Sequence, residues 1–134
     1  MDEVEQVRKA AQAFYDKMAA WEVLSLKLIT AQDFASNERH DTLAKIFSEH
    51  LTKSAANRKP SRRDSMTFSD PPGFAKPMTK IEPGMPGAYL VYMATPEIVL
   101  QRHCFEYEDG AWRVDFMEVC YTSEPGVWTK WLDI

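Results

Sequence analysis

The residues best suited to chemistry in this chain are His103 and Glu118, a histidine and a carboxylate on the two strands of one predicted hairpin. Apolar surroundings favour the neutral form of either group and so tune its pKa, and a pair tuned in this way can act as general acid and base. Tyr107, on the same predicted face, would add a hydroxyl. If the protein is an enzyme, these three are its predicted catalytic residues. The alternative is that they hydrogen-bond locally near the open end of a sheet.

The hairpin that positions these residues runs from about Pro96 to Ser123 and turns at Asp109-Gly110. Asp-Gly between alternating apolar residues favours a two-residue turn, because both central positions need positive φ. The turn sets the register of the two strands. The facing pairs it predicts are Tyr107–Trp112, Phe105–Val114, His103–Phe116 and Gln101–Glu118. A hairpin with an aromatic face needs helices or further strands to cover it.

Helices are predicted first and strands later, because every proline and glycine lies at or after Pro60. An apolar stripe that begins at Val4 predicts an amphipathic helix of about 30 residues. Ser36-Asn37 is a break and an N-cap for a second helix that runs to about Lys53. Short strands are expected at 78–81 and 88–94. The sequence therefore predicts a single α+β domain over 1–134.

Several classes of function lack their sequence signals. The motifs CxxC, HExxH, GxxxxGK[ST] and GxSxG are absent, and the three histidines are widely spaced. We therefore expect no metal and no cofactor. A net charge of −4 argues against a general nucleic-acid binder. No apolar run approaches the ~20 residues that cross a membrane.

Two features favour a cytoplasmic location. The N-terminal segment MDEVEQVRK is charged and lacks the apolar core of a signal peptide. The predicted register places Cys104 and Cys120 on opposite faces of the hairpin, where a disulfide cannot form. Two reduced thiols fit a reducing compartment.

A basic segment between residues 53 and 65 is the predicted partner-binding region. Its arginines Arg58, Arg62 and Arg63, together with Glu38 and Arg39 at the start of the second helix, could contact an acidic partner. The alternative is an ordinary solvated loop, since surface charges commonly serve solubility.

The order of helix, helix, proline-rich loop and antiparallel sheet resembles the cone-shaped fold of nuclear transport factor two and ketosteroid isomerase. Within that group, three segments resemble immunity proteins of bacterial polymorphic toxin systems: His50-Leu51-Thr52, Phe68-Ser69-Asp70-Pro71-Pro72 and Gly110-Ala111-Trp112-Arg113-Val114-Asp115. The resemblance covers most of residues 40–120. It implies N-terminal helices on a curved sheet, and a cytoplasmic, non-catalytic protein that neutralises a cognate protein toxin. It transfers no functional residues.

Two alternatives stay open at this point. The same cone could hold a small-molecule enzyme of the isomerase, dehydratase or hydrolase type, which would use His103, Glu118 and Tyr107 in an open pocket. The chain could also be an oligomerisation module, in which the aromatic tail at 127–132 joins two copies in a homodimer.

Overall fold

The computed structural model describes residues 2–58, 68–95 and 98–131. Arg62 and Arg63 lie outside the described residues. Within those ranges, three helices precede a five-stranded antiparallel sheet whose strands follow chain order. The elements are α1 Glu3–Thr30, α2 Glu38–His50, α3 Lys53–Arg58, a 3-10 turn Gly73–Ala75, β1 Met78–Pro83, β2 Ala88–Met93, β3 Val99–Glu108, β4 Ala111–Tyr121 and β5 Thr129–Trp131. The predicted α+β class, with N-terminal helices packed on an antiparallel sheet, is confirmed.

Helix α1 supplies most of the cover for the sheet. Asp2 caps its first turn, where the carboxylate accepts the Glu5 N–H at 2.8 Å. The predicted apolar stripe is buried, and it continues into two polar residues, Glu22 and Ser25. In the described ranges, no helix combines the length and the apolar character that crossing a bilayer requires.

The connection from α2 to α3 departs from the prediction. Helix α2 begins after Asn37 as expected but ends at His50, and Lys53–Arg58 is a helix instead of a loop. Thr52 causes this change, because its N–H donates to the Val114 carbonyl at 2.9 Å while its hydroxyl caps Ala55 at 3.1 Å. A strand-like contact with β4 therefore separates two helical segments.

The predicted hairpin register is correct near the turn and wrong beyond it. Tyr107 faces Trp112 and Phe105 faces Val114, but a bulge at Asp115 then shifts the pairing by one residue. The carboxylate of Asp115 accepts a hydrogen bond from the Thr52 hydroxyl at 2.8 Å, which holds the extra residue in place. Because side chains alternate along a strand, this shift reverses the faces of all later β4 residues. The observed pairs are Cys104–Phe116, His103–Met117, Arg102–Glu118 and Gln101–Val119.

The shift also corrects the account of the cysteines. Cys104 faces Phe116 and Cys120 faces Leu100, which puts both thiols on the same face rather than on opposite faces. Leu100 and Cys104 are four residues apart on β3, so the two cysteines are separated by about 13 Å along the sheet. That exceeds the reach of a disulfide. Both are free thiols, as predicted.

The core lies between the helices and one face of the sheet. Val7, Phe14, Met18 and Trp21 of α1 and Leu43, Ile46 and Phe47 of α2 pack against Val91, Phe105, Trp112 and Val114 of the sheet. The opposite face, called the outer face below, carries Tyr92, Arg102, Cys104, Phe116 and Glu118, none of which belongs to this cluster.

Candidate functional site

His103 lies in the core rather than in an open pocket. Its side chain is completely buried, and its Nδ1 atom is 2.9 Å from the Tyr15 hydroxyl of α1. The rings of Phe14 and Phe74 lie 6.1 and 6.3 Å from the imidazole, measured between centroids. Aromatic side chains in mutual contact therefore fill the space between α1 and the sheet at this point.

Burial keeps both members of the Tyr15–His103 pair neutral. It lowers the pKa of His103 to about 3 and raises the pKa of the Tyr15 hydroxyl. The Nε2 atom of His103 is buried, and no hydrogen-bond partner for it is found among the described residues. A neutral imidazole that solvent cannot reach is suited to hydrogen bonding within the core and cannot exchange protons with a substrate as it stands.

The structure does not bring His103, Glu118 and Tyr107 together. Glu118 is on the outer face, where it accepts a hydrogen bond from Arg102 Nε at 3.0 Å. The predicted shared face of His103 and Glu118 was therefore wrong, because the bulge at Asp115 lies between Glu118 and the turn. Tyr107 lies at the turn end of β3 and is 59% exposed, although the aromatic face of the hairpin was expected to be covered.

Arg102 is the centre of a paired network on the outer face. Besides Glu118, it donates to the Tyr92 hydroxyl at 2.8 Å, and its guanidinium lies 3.7 Å from the centre of the Trp128 ring. Tyr92 in turn donates to Glu82 at 2.5 Å. The network ties the segment before β5 to the sheet and pairs the Arg102 charge with that of Glu118.

Arg39, one of the predicted partner-binding residues, fastens α2 to α1. Its Nε donates to the Ser25 hydroxyl at 2.9 Å, and its guanidinium lies 4.8 Å from the centre of the Trp21 ring. The Trp21 indole N–H donates to the Arg39 carbonyl at 2.9 Å. Glu38, the preceding residue, is exposed. Arg39 thus has a structural role that the sequence analysis did not foresee.

Arg58 is held against β4. One of its guanidinium nitrogens donates to the Asp115 carbonyl and the other to the Ser54 hydroxyl, the latter at 2.8 Å. Glu38 and Arg39 begin α2, which is about 20 Å long, whereas Arg58 ends α3, the helix that follows its other end. The roles of Arg62 and Arg63 stay predictions.

Glu22 is a site residue that sequence reasoning missed. Its carboxylate is buried and accepts the backbone N–H of Phe74 at 3.5 Å. Burial raises its pKa, while hydrogen bonds from Phe74, Gly73 and Ser69 act in the opposite direction. The contact holds Phe74 above His103. The sequence did contain a signal, because Glu22 follows Met18 by four residues and so lies on the apolar stripe of α1. Glutamate is seldom buried, however, so this position did not indicate a site.

A second cluster of aromatic residues lies at the end of the sheet that carries the β1–β2 and β3–β4 turns. Trp112 is mostly buried and contacts Tyr107 and Tyr89 edge to face, each at a centroid distance of 5.4 Å. Tyr89 donates to Glu3 at 2.9 Å. The Tyr107 surface is defined here as Tyr107, Trp112 and Tyr89 together with Asp2 and Glu3.

Shallow cavities lie at the surface of the helical layer. One of about 310 Å³ runs between α1 and α2, with Trp21, Leu24 and Ile46 as its floor. Another of about 280 Å³ lies where α1 ends and α2 begins, beside the exposed Phe34. Among the residues that the structure describes, no three His, Cys, Asp or Glu side chains are grouped so that they could hold a metal ion.

Comparison with known proteins gives no family for this chain, because no family model, no curated protein and no solved structure matches it significantly. A proposal about function therefore rests on the fold and the side chains described above.

Proposed function

We propose that this protein is a non-catalytic binding protein of the immunity type, which neutralises a cognate protein toxin in the cytoplasm by forming a stoichiometric complex. The observation that carries the proposal is the filled space between α1 and the sheet. His103, the best acid–base candidate of the sequence, is completely buried against Tyr15, Phe14 and Phe74.

A filled interior favours binding over catalysis for a physical reason. A small-molecule enzyme needs a concave site in which several polar groups converge on the substrate. In this chain the three candidates do not converge. His103 lies in the core, Glu118 on the outer face and Tyr107 at the turn end of the hairpin. A binding protein needs instead an exposed set of aromatic and arginine residues on a rigid support. Exposed aromatic rings are present after α1 (Phe34), at the β3–β4 turn (Tyr107) and at the end of β4 (Tyr121).

The same proposal includes a finer fold assignment, a cone-shaped fold of the nuclear transport factor two type. A cone-shaped sheet of the nuclear transport factor two type requires strongly bent strands, and the bulge at Asp115 supplies a bend in the longest hairpin. The resembling segments also lie at structurally important positions. His50-Leu51-Thr52 makes the bridge to β4, and Gly110-Ala111-Trp112 begins β4 itself.

We expect a toxin gene directly upstream of the gene for this protein, and the test is co-expression with the C-terminal domain that it encodes. We expect restored growth, and a 1:1 complex whose mass is measured after size-exclusion chromatography. Glu118→Gln and Tyr15→Phe are the matched variants, because each retains the shape of the side chain. Both should protect as well as wild type.

Two outcomes would overturn the proposal. In one, wild-type protein neither protects growth nor forms the complex. In the other, the purified protein converts a small substrate, and Glu118→Gln, or Tyr15→Phe at the partner of His103, abolishes the turnover without changing the fold. The second result would favour the enzyme alternative.

A further inference from the structure

We propose that the partner docks on the Tyr107 surface, and that it presents there a lysine or arginine side chain next to an apolar one. This inference rests on the proposed function and names the contact that the binding protein would use. Its occupant is a cationic segment of a protein, identified by the aromatic rings and carboxylates that would meet it.

The aromatic part of the surface is rigid from below. The Trp112 indole N–H donates to the Gln6 side chain of α1 at 3.3 Å, and its ring is held between Tyr89 and Tyr107. Tyr107 rests on this base with 59% of its surface exposed. An exposed tyrosine on a fixed indole loses little conformational freedom on binding. Interface residues that dominate binding energy commonly have this character.

The charged part of the surface is acidic. Asp2 and Glu3 lie at the start of α1, and Glu3 reaches Tyr89 directly. The hydrogen bond from Tyr89 to Glu3, together with the nearby Asp2 charge, raises the pKa of the Tyr89 hydroxyl. No lysine or arginine within the described ranges forms an ion pair with Asp2 or Glu3. Each carboxylate accepts a hydrogen bond, and neither is neutralised by a cation from the part of the chain that the structure describes.

The β3–β4 turn beside Tyr107 carries Glu108 and Asp109, and both carboxylates have partners within the protein. Glu108 accepts the backbone N–H of Lys53 at 2.8 Å. Lys53 pairs with Asp109 at 3.3 Å, and Arg113 donates to the carbonyls of Ser48, Glu49 and Glu108. A partner cation above the exposed Tyr107 ring would gain from both the ring face and the carboxylates of Asp2 and Glu3.

Other surfaces are less complementary to a single partner. On the outer face, Arg102 pairs with Glu118 and Lys80 pairs with Glu82, and Glu106 lies within electrostatic range of both Asp115 and Lys130, so this face carries both signs of charge. The cavity between α1 and α2 has both signs at its rim, where Lys17 and Lys45 meet Glu49. The Tyr107 surface combines an exposed aromatic ring with charge of one sign.

The experiment measures the rates at which this protein associates with and dissociates from the toxic domain of the co-expression test, at low and at physiological salt. Tyr107→Ala removes the exposed ring, and Tyr121→Ala is its matched control, because Tyr121 is similarly exposed at the opposite end of the same hairpin. Asp2→Asn with Glu3→Gln removes two charges while it keeps the helix cap and an acceptor for Tyr89. Glu38→Gln is the control for a distant exposed carboxylate.

We expect Tyr107→Ala to weaken binding at least 30-fold, and Tyr121→Ala to change it less than twofold. The double charge removal should slow association severalfold at low salt and flatten its salt dependence. Arg62→Glu with Arg63→Glu should leave association unchanged or speed it, because the partner segment is cationic. If the basic segment were the contact, that double reversal would slow association.

Three results would overturn the inference. If the Tyr107→Ala variant and the Asp2→Asn/Glu3→Gln variant both bind the partner as tightly as wild type, this surface is rejected and the proposed function stays intact. A dimer of the free protein that Tyr107→Ala dissociates would make the surface an interface between two copies. If wild-type protein binds no partner at all, the proposed function fails and this inference fails with it.

Discussion

The Tyr15 hydroxyl and the Nδ1 atom of His103 lie 2.9 Å apart in the core and join α1 to β3. Both side chains are almost inaccessible to solvent. A buried polar group without a partner destabilises a fold by about 1–3 kcal/mol, so each residue makes the burial of the other tolerable. The bond explains why a histidine occupies a core position in a chain for which we propose no catalysis.

Acid should destabilise this core through His103. The pKa of His103 is about 3 in the folded protein and near 6.5 when unfolded. Between these values the unfolded chain binds more protons, so the free energy of unfolding falls as pH drops from about 6.5 toward 3. At about 1.4 kcal/mol per pH unit, the loss from this residue alone has an upper limit of about 5 kcal/mol. Urea unfolding between pH 7.5 and 4 measures it.

The comparison that isolates this effect is wild type against His103→Gln. Glu22 acts in the opposite direction, because its raised pKa makes the folded state bind more protons as pH falls. The difference between the two proteins removes that shared contribution. Parallel stability profiles would contradict the assignment. If His103→Gln does not fold, the wild-type His103 ring resonances should show no titration above about pH 4.5.

Trp112→Ala should lower the free energy of unfolding by about 3–5 kcal/mol, since it removes a mostly buried indole beneath α1. Tyr107→Ala is the matched change on the facing residue. Because Tyr107 is largely exposed, its loss should cost no more than about 1 kcal/mol. Equal losses at the two positions, measured by urea unfolding, would mean that both rings belong to the core.

Cys104 and Cys120 should both be free and protected. Burial raises the pKa of the Cys104 thiol to about 12, so it carries almost no thiolate at neutral pH. Mass spectrometry after alkylation without reductant should find two labels in denaturant and slow labelling of Cys104 in the folded protein. An intramolecular disulfide would require a different arrangement of β3 and β4.

Arg102 and Glu118 should stabilise each other rather than act on a substrate. Their side chains are only 14% and 18% exposed, and they are 3.0 Å apart. A double-mutant cycle with Arg102→Gln and Glu118→Gln should give a coupling of about 1–3 kcal/mol. The exposed Lys45–Glu49 pair on α2 is the control, with an expected coupling below about 0.5 kcal/mol. Equal couplings would mean that solvent screens both pairs alike.

The local parts of this fold could be predicted from the sequence. The apolar stripe along α1 and the Asp109-Gly110 turn depend on neighbouring residues, whose backbone preferences act over a few positions. Asp109 and Gly110 do have positive φ, and the register is correct from the turn to the Phe105–Val114 pair. The order of helices first and an antiparallel sheet second could also be predicted, because it depends on where prolines and glycines stand along the chain.

Tertiary contacts decided the candidate site. The bulge at Asp115 depends on Thr52, which lies 63 residues away and is brought to β4 only by folding. That one extra residue moved Glu118 to the outer face and removed the predicted pair with His103. Arg39 and Glu22 likewise found partners on other elements. Local spacing predicts which residues share a face of one element, but it carries no information about which distant group will reach that face and shift its register.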